Sequence, residues 1–310
     1  MAHIDNSFKQ MYLTILNEGY EYTDSSRDCL RKQIPSFTLS HNFANGFPAI
    51  ALKHLNFRDV VGELIWFLRG DNDIEYLNKN GIKIWNKDAY NWYLRCGGGG
   101  LSYKDFSEKG KGSVGNNYSV QWRHSDDEVD QIEYVINEMK RNIMSTRIKL
   151  SAWNPSELNK TALPPCHDGF QIIGVPLENG MYGFELHWNQ RSSDSFLGVP
   201  YNIASYSVLA EILSEITNHL SIGVEGTLKC VHLYENQIEP TKKLLDRNSN
   251  LHGNCTIKLS DRFKNNCARY NDNVITLSEL FNSLEIEDVE LVNYTSYPKI
   301  AVPMLAPKSI

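Results

Sequence analysis

The sequence predicts an α+β fold in which one mostly antiparallel or mixed β-sheet is flanked by helices. Residues 182–191 alternate apolar and polar side chains, with Phe184, Leu186 and Trp188 on one face, which is typical of a half-buried strand. Residues 203–220 form a long apolar stretch that is typical of a helix in the core. Because strands and helices occur in blocks along the chain, we expect an α+β architecture.

The same two periodicities place the other elements of the chain. Helical spacing of apolar residues predicts helices at residues 7–18, 57–68, 74–80 and 126–142. Alternating or short apolar runs predict strands at residues 34–43, 50–52, 148–153, 170–177 and 228–234. The tail, roughly residues 240–310, predicts two polar helices or turns followed by an apolar terminus.

Residues 90–119 are expected to be the least ordered part of the chain. Residues 97–100 are four consecutive glycines, and Gly110 and Gly112 follow soon after. A phosphate-binding loop would need a Lys-Ser/Thr ending, which this run lacks. With no internal repeat and no convincing interdomain linker, we expect a single domain over residues 1–310 that carries a Gly-rich insertion or lid at about 90–115.

The composition is typical of a soluble globular protein, with 310 residues of which 41% are hydrophobic and 22% charged. No run of about 18 apolar residues occurs, so we expect no membrane span. The first residues lack the basic-then-apolar pattern of a signal peptide, so we expect a cytoplasmic protein. The net charge of -6 argues against a nucleic-acid partner but leaves room for a locally basic pocket.

The six cysteines lack the spacing of a structural zinc site, because none of them forms a CxxC pair. In a reducing compartment most of them are expected to be free, buried thiols. We therefore expect no metal centre, and a small core residue is the default interpretation for each cysteine.

One cysteine, Cys166, stands out because it follows a rigid Pro-Pro turn in the segment Leu-Pro-Pro-Cys-His. A second segment, residues 189–206, offers a cation, a carboxylate and a carboxamide at Arg191, Asp194 and Asn202. A thiol at its ordinary pKa is only slightly ionised, so it needs a nearby cation to react. A nucleophile close to a permanent cation indicates covalent catalysis on an anionic substrate.

Glu63 is a further candidate because it lies inside the predicted helix at 57–68, whose other central residues are almost all apolar. A carboxylate in such a helix is costly unless it is paired or functional. This position makes Glu63 a candidate for proton transfer or for ordering water.

The segments around Cys166 and Asn202 resemble folate-dependent thymidylate synthases, and the resemblance covers roughly residues 8–306. Its most specific part is Leu-Gly-Val-Pro-Tyr-Asn-Ile-Ala-Ser-Tyr at 197–206. Further matches occur in the family's order at Gly46-Phe47-Pro48, residues 63–70, Ile84-Trp85, Tyr118, Gln121-Trp122-Arg123, Ser151-Ala152-Trp153-Asn154 and Val231-His232-Leu233-Tyr234.

The resemblance implies a homodimer built back to back on a twisted mixed sheet. It implies a reaction on deoxyuridine monophosphate (dUMP) with 5,10-methylenetetrahydrofolate as co-substrate. Cys166 would add as thiolate to C6 of the pyrimidine, and C5 would then attack the methylene carbon of the folate. The folate would also supply a hydride, which gives dTMP. No metal, nucleic acid or membrane takes part.

The resemblance also assigns nucleotide-binding residues. Asn202 would donate to O4 and accept from N3–H of uracil, as a carboxamide can, although an Asn that caps the helix beginning there is the structural alternative. His232 and Tyr234 are two residues apart at a strand end, so they point the same way, and they would bind the sugar 3'-hydroxyl. The remaining substrate-binding residues would be Arg27, Gln190, Arg191 and Ser192, with Arg147 reaching the phosphate of the neighbouring subunit.

On the folate side, the resemblance assigns Asp194 to the pterin ring. Glu63 and His167 would order water and protons, with Tyr118 in the same catalytic group. The folate pocket would be lined by Ile84, Trp85, Leu197, Gly198 and Tyr201.

The chain departs from the family's pattern at several places. Residues 27–31 are Arg-Asp-Cys-Leu-Arg where an Arg-Thr-Gly-Thr-Gly phosphate loop is usual, and Thr146-Arg147 replaces paired arginines. Asp88 stands near the place of a second tryptophan, and residues 115–119 are Gly-Asn-Asn-Tyr-Ser where Gly-Pro-Val-Tyr-Gly is usual. Residues 307–310 extend beyond the usual end of the family.

These departures keep a sister activity open, that of a phage-type deoxyuridylate hydroxymethylase. There, water rather than hydride traps the exocyclic methylene and gives 5-hydroxymethyl-dUMP. Polar residues that could place that water are Asp88, Asn116 and Asn117. A third alternative, a non-catalytic nucleotide-binding relative, is disfavoured because the thiol, the cation, the carboxylate and the carboxamide are all present.

Overall fold

The computed structural model describes residues 4–25, 27–125, 129–249, 255–303 and 305. The described helices are α1 (Ile4–Glu18), α2 (Phe57–Arg69), α3 (Glu75–Lys79), α4 (Asn86–Arg95), α5 (Tyr103–Lys109), α6 (Tyr118–Arg123), α7 (Gln131–Arg141), α8 (Gly198–Thr217), α9 (Glu235–Leu245), α10 (Asp261–Asn271) and α11 (Leu277–Ser283). The described strands are β1 (Tyr20–Asp24), β2 (Cys29–Asn42), β3 (Lys149–Ser151), β4 (His167–Pro176), β5 (Tyr182–Gln190), β6 (Ser193–Asp194), β7 (Leu220–Tyr234), β8 (Thr256–Leu259) and β9 (Val289–Val292).

Strands β1 to β7 form one mixed sheet in the order β1-β2-β7-β5-β4-β3, with β6 also paired to β7. The β5–β7 and β6–β7 pairs are parallel and the others are antiparallel. Helix α8 connects the parallel strands, as parallel pairing requires a crossover. The predicted α+β architecture with a mixed sheet is therefore confirmed.

The two faces of the sheet differ in burial. Leu186, Trp188 and Phe170 belong to the face that packs on the helices, and each is 0% exposed. Helix α8 contacts this face and is itself buried along most of its length. On the other face, side chains such as Gln171 and His187 are only half-buried. We call this second surface the open face.

Strand β7 begins at Leu220, eight residues before the predicted strand at 228–234. Gly223 and Gly226 interrupt the apolar pattern of its first half. In the structure, a Cβ added to Gly226 would lie 2.2 Å from the Trp188 ring, so glycine is what allows the indole to pack against β7. The helix predicted at 203–220 correspondingly starts earlier, at Gly198, and ends at Thr217.

The expectation of a loop at 90–119 was wrong for much of that stretch, because α4, α5 and the start of α6 lie in it. An aromatic cluster holds α4 to α5: the ring of Tyr90 lies 5.4 Å from those of Tyr103 and Phe106, and Tyr93 lies 5.5 Å from Phe106. The four glycines are thus the link between two packed helices.

Two smaller predictions also need correction. Residues 50–52 are not a strand. The Ala51 carbonyl instead accepts a hydrogen bond from the Tyr297 N–H, and the Ala51 N–H donates to the Asp5 carboxylate. This segment therefore connects distant parts of the chain. The helix predicted at 126–142 begins at Gln131, capped by Asp130, and residues 126–128 lie outside the described part of the chain.

Candidate active site

Cys166 lies immediately before β4 and is fixed by its own backbone. Its N–H donates to the Tyr118 hydroxyl oxygen at 2.6 Å, and its carbonyl accepts from the Arg191 N–H at 2.9 Å. Burial raises the pKa of the Cys166 thiol, while the charges of Arg191 and Arg27 lower it. The thiol therefore sits in a dry environment where these two guanidinium groups favour its ionised form.

Arg191 holds the turn that carries the thiol. Its Nε donates to the Pro165 carbonyl at 2.7 Å and its Nη2 to the Pro164 carbonyl at 2.8 Å. The guanidinium lies over the Trp153 ring, 5.2 Å from its centre. A guanidinium carries five N–H donors, and within the described residues no protein partner takes the other donors. Arg191 is thus a fixed cation that can still receive an oxyanion.

Asn202 lies in the first turns of α8 and is oriented by a chain of amides. Trp188 Nε1 donates to Gln190 Oε1 at 3.2 Å, and Gln190 Nε2 donates to Asn202 Oδ1 at 3.2 Å. Because Asn202 Oδ1 accepts that bond, its nitrogen is assigned as the outward donor. The helix-cap interpretation of Asn202 was wrong, because α8 starts four residues earlier with Leu197 at the N-cap position.

His232 and Tyr234 stand side by side at the end of β7, with ring centres 4.8 Å apart. His232 Nδ1 lies 2.6 Å from the Cys230 carbonyl, which can only accept, so Nδ1 carries the proton. Burial lowers the pKa of His232, and its Nε2 is a buried acceptor with no partner among the described residues. An unpaired acceptor of this kind suits a hydroxyl group on a ligand.

Asp194 holds the turn that leads into α8. Its Oδ1 accepts from the N–H groups of Phe196 at 3.1 Å and Leu197 at 2.9 Å. The side-chain nitrogen of Gln237 lies 3.1 Å from both carboxylate oxygens. Asn202 Oδ1 and Asp194 Cβ each lie 3.6 Å from a Cβ built on Gly198, so this glycine separates the carboxamide from the carboxylate.

Glu63 lies in the middle of α2, half-buried among side chains that are mostly buried and apolar. Trp85 Nε1 donates to Glu63 Oε1 at 2.7 Å. Burial raises the pKa of Glu63 to about 7, against the opposing effect of the Trp85 hydrogen bond. A carboxyl group with this pKa can take up or release a proton near neutral pH.

His167 is held between aromatic side chains. Its ring stacks on Tyr118 with centres 4.2 Å apart, and its Nδ1 lies 2.8 Å from the Tyr206 hydroxyl. Burial lowers the pKa of His167 to about 3, so the ring is neutral at physiological pH. His167 can therefore order a hydrogen-bond network but does not supply a positive charge.

Arg27 lies between Tyr234 and the C-terminal segment. Its Nε donates to the Leu305 carbonyl at 3.0 Å, and its guanidinium lies 5.4 Å from the centre of the Tyr234 ring. Asn236 Nδ2 donates to the Pro303 carbonyl at 2.9 Å and fixes the same segment. Residues 306–310, which include the extension noted in the sequence, lie outside the described part of the chain.

A cavity of about 460 Å³ opens beside Arg191 on the open face. Its walls include two lysines, Lys149 and Lys229, together with Trp153 and Asp168. Cys166 does not line it, so this cavity adjoins the thiol group without containing it. Within the described residues, no set of three or more His, Cys, Asp and Glu side chains is arranged to hold a metal ion, and no helix is long and apolar enough to cross a membrane.

Comparison with known proteins decides the family. A family model described as thymidylate synthase matches residues 6–306. The chain belongs to the thymidylate synthase family. A thymidylate synthase of Aster yellows witches'-broom phytoplasma (strain AYWB) is 37% identical over 226 residues, covering 70% of this chain and 76% of that protein.

Two further relatives named thymidylate synthase match almost end to end. That of Mycoplasma mobile (strain ATCC 43663 / 163K / NCTC 11711) is 32% identical over 304 residues, with 94% of this chain and 98% of the relative covered. That of Staphylococcus haemolyticus (strain JCSC1435) is 32% identical over 340 residues, with 96% and 99% covered.

In this member of the thymidylate synthase family, most of the predicted site residues converge. Contacts described above link them in three groups around Cys166, around Asn202 and Asp194, and around Glu63. Ser192 lies half-buried in the turn after β5, and Ile84, Leu197 and Tyr201 pack partly buried against the core. Arg147 is exposed before β3, and its described contacts, main-chain bonds with Ser145 and Tyr134, do not join it to the thiol.

Two residues of the candidate site, Tyr206 and Gln237, were not predicted as site residues from the sequence. Each makes its contact across a long stretch of chain, 39 residues for Tyr206 to His167 and 43 for Gln237 to Asp194. Tyr206 stands at the end of the most specific motif, which is the one signal that could have singled it out.

Proposed function

We propose that this protein is a thymidylate synthase that methylates dUMP to dTMP with 5,10-methylenetetrahydrofolate as donor of both the one-carbon unit and the hydride. The single observation that carries the proposal is the Cys166 thiol on a turn whose proline carbonyls are held by Arg191. Membership of the thymidylate synthase family supports the same reaction.

The nucleophile and the phosphate share one cation in this proposal. Arg191 favours ionisation of the thiol and offers its remaining N–H donors to the nucleotide phosphate, where a rigid fork suits oxyanions. Ser192 and Arg27 add contacts on the same side. The thiolate adds to C6 of the pyrimidine, which pushes electron density to C5 and makes C5 the nucleophile toward the methylene carbon.

Base and sugar are read by groups with a defined donor or acceptor role. Asn202 presents its nitrogen to O4, and the second lone pair of its oxygen accepts from N3–H, a pattern that uracil satisfies. His232 Nε2 accepts the 3'-hydroxyl, with Tyr234 beside it. Cytosine would present an amino donor and a bare ring nitrogen to the same carboxamide, so the arrangement favours a uracil nucleotide.

The reduced folate is held on the opposite side of the nucleotide. Asp194 accepts N–H donors of the pterin, and Trp85 with Tyr201 and Leu197 offers flat and apolar surface to the ring system. Glu63, with a pKa near neutrality, exchanges protons between the site's water and the pyrimidine oxygen. Tyr118 lies against both Cys166 and His167 and completes this proton-handling group.

We further propose that the protein acts as a homodimer joined through the open face. The half-buried side chains on that face and the cavity beside Arg191 leave room for a second copy. Arg147, exposed and two residues before β3, would then reach the phosphate site of the partner.

A covalent adduct tests the proposal directly. The wild-type protein should form a stable complex with 5-fluoro-dUMP and methylenetetrahydrofolate, detected by mass spectrometry as a mass increase on the peptide that contains Cys166. Cys166→Ser should abolish the adduct and turnover, because oxygen is a far weaker nucleophile here. The buried Cys255 gives the matched control, since Cys255→Ser should leave the adduct intact. Turnover by Cys166→Ser at the wild-type rate would overturn the proposal.

One observation favours a second candidate, the dUMP hydroxymethylase. Asp88 lies in the first turn of α4, three residues after Trp85 and therefore on the same side of the helix. Burial raises the pKa of the Asp88 carboxyl, and the charge of Arg27 lowers it. The charge of Asp88 in turn raises the pKa of Cys166. Asn116 and Asn117 bond instead to Glu157 and to the Ser119 N–H.

The product separates the two candidates. Transfer with hydride gives dTMP and dihydrofolate, whereas transfer with water gives a nucleotide one oxygen heavier and tetrahydrofolate. If Asp88 binds the reacting water, Asp88→Asn should lower the share of the heavier product at an unchanged rate of adduct formation. A wild-type reaction that gives dTMP alone rules the second candidate out.

A further inference from the structure

The contacts of Gln237 reach both substrate sides of the proposed active site. Gln237 lies in the first turn of α9, immediately after the strand that ends in His232 and Tyr234. Its side chain is 1% exposed. Its nitrogen donates to both oxygens of Asp194 at 3.1 Å, and its oxygen accepts the Tyr234 N–H at 3.0 Å.

The hydrogen bonds of Asp194 are unevenly divided between its oxygens. Oδ1 accepts from Phe196, Leu197 and Gln237, whereas Oδ2 accepts from Gln237 alone among the described residues. A carboxylate oxygen has about two lone-pair sites, so Oδ2 is the oxygen with capacity for a ligand donor. Gln237 is the side chain that bridges both oxygens and fixes the rotation of the carboxylate plane.

We propose that Gln237 is a positioning residue that orients the Asp194 carboxylate toward the N–H donors of the reduced folate and ties it to the Tyr234 strand end. This inference rests on the proposed function and deepens it, because it gives the folate-binding carboxylate a fixed orientation. Neither the sequence motifs nor the family match singles out Gln237.

Two substitutions separate the contacts of Gln237. Gln237→Met keeps the length of the side chain but removes the donor and the acceptor. Gln237→Glu keeps the acceptor for the Tyr234 N–H and replaces the donor with a second carboxylate beside Asp194. Thr241→Val is the matched control, because Thr241 lies one turn further along α9, is 0% exposed, and its hydroxyl has no partner among the described residues.

Both variants should weaken use of the folate more than binding of the nucleotide. At pH 8 we expect the folate KM to rise, and kcat to fall, by about tenfold or more, the size of one charge-assisted hydrogen bond. The dissociation constant for dUMP should change less than about threefold in Gln237→Glu, which retains the Tyr234 contact. Thr241→Val should match the wild type in both quantities.

The pH dependence of activity distinguishes a positioning role from a packing role, because loss of packing alone would lower activity equally at every pH. Two facing carboxylates cannot both stay ionised at hydrogen-bond distance, so the introduced carboxyl takes up a proton as the pH falls. It can then donate to Asp194 as the amide did. The ratio of Gln237→Glu to wild-type activity should therefore rise between pH 8 and pH 6, while that of Gln237→Met stays flat.

Other groups around Asp194 titrate in both proteins and cancel in that ratio. Those within electrostatic range are Tyr12 on α1, Lys53 before α2, Cys166 before β4, and His232 and Tyr234 on β7. Lys53 matters most at the alkaline end, because burial lowers its pKa to about 8.

The outcomes are distinguishable from failure of the proposed function. An activity ratio for Gln237→Glu that does not change with pH, or an equal loss of dUMP and folate binding, would overturn the role of Gln237. A Gln237→Met variant that fails to fold leaves the Gln237→Glu ratio to decide. Absence of the 5-fluoro-dUMP adduct in the wild-type protein would instead remove the proposed function.

Discussion

At the scale of single residues, burial is the main determinant of protonation around the thiol. It raises the pKa of both Cys166 and Glu63 and lowers that of His167. Each shift favours the neutral form of its group. The positive charges that act on Cys166 therefore come from the two arginines, and Glu63 is the group of the three whose pKa lies close to physiological pH.

The raised pKa of Glu63 has a consequence for stability. Its pKa is about 7 in the folded protein against 4.5 ordinarily, so the folded state keeps a proton that the unfolded state releases. The stability that this proton contributes is fully present below pH 4.5 and is lost as the pH rises through 7. The total is about 3 kcal/mol from the size of the shift.

Glu63→Gln should remove that dependence. As the pH rises from 5 to 8, we expect the free energy of unfolding of the variant to increase relative to that of the wild type, because the amide has no proton to lose. We also expect kcat to fall by about 100-fold or more through loss of the proton-exchanging group. Urea unfolding at a series of pH values measures the first effect. Glu108→Gln, at an exposed carboxylate on α5, is the control and should show neither change.

At the scale of elements, the turn from β6 into α8 brings together two side chains proposed to bind different substrates, Asp194 and Asn202. Asp194 ends β6, and Asn202 lies one helical turn after Gly198, the first residue of α8. The same nine residues, 194–202, thus carry the carboxylate proposed to bind the folate and the carboxamide proposed to recognise the base. Because α8 is buried along most of its length, neither side chain can move far without disturbing the core.

Base preference should follow the chemistry of residue 202. In Asn202→Asp the Gln190 nitrogen still has an oxygen to bond, but O4 of uracil loses its donor and meets a charge. We expect kcat/KM for dUMP to fall by about 100-fold or more, while tritium release from [5-³H]dCMP rises. Asn137→Asp, at an exposed position on α7, should leave the preference unchanged. An unaltered preference in Asn202→Asp would contradict the proposed base recognition.

The elements that the sequence predicted best are those with regular local patterns. Strand β5 alternates cleanly and α2 has a continuous apolar surface, and both lie within one or two residues of their predicted bounds. Strand β7 was half missed because Gly223 and Gly226 interrupt its pattern, although a neighbouring strand and the Trp188 ring require them to be small. Spacing along the chain carries no information about such neighbours.

The same limit applies to the candidate site. The thiol, its cation and the carboxamide follow from short segments of sequence, because motif and chemistry coincide there. The partners that orient them do not follow from such segments, because Gln237 contacts Asp194, and Tyr206 contacts His167, only in the folded chain. A side chain that acts through another needs the fold before its role can be seen.

At the scale of the whole molecule, the open face is the surface through which the proposed dimer would form and complete each active site. Arg147 lies outside the group around Cys166 in a single chain, although it is the one arginine that remains of the pair expected to bind phosphate. If the proposed dimer supplies Arg147 from the partner, every active site contains residues of both chains. A substitution in one chain can then inactivate one of the two sites and leave the other intact.

Subunit mixing tests that dependence. Cys166→Ala should be inactive, and Arg147→Met should have a KM for dUMP raised about tenfold or more through loss of a charge-assisted contact. A random mixture, unfolded and refolded together, should regain low-KM activity up to about a quarter of the wild type, because half of the dimers then hold one intact site. Refolding each variant alone is the control. If the mixture regains no low-KM activity, Arg147 acts in the active site of its own chain or in neither active site of the dimer.

The bonds from Arg191 to the two proline carbonyls have a further consequence. In the proposed reaction, the guanidinium that receives the phosphate also holds the loop that bears the sulfur, so one side chain links recognition of the anion to placement of the nucleophile. We therefore expect a nucleoside without its phosphate to react more slowly than the nucleotide even at saturating concentration, because it leaves that side chain without its anion.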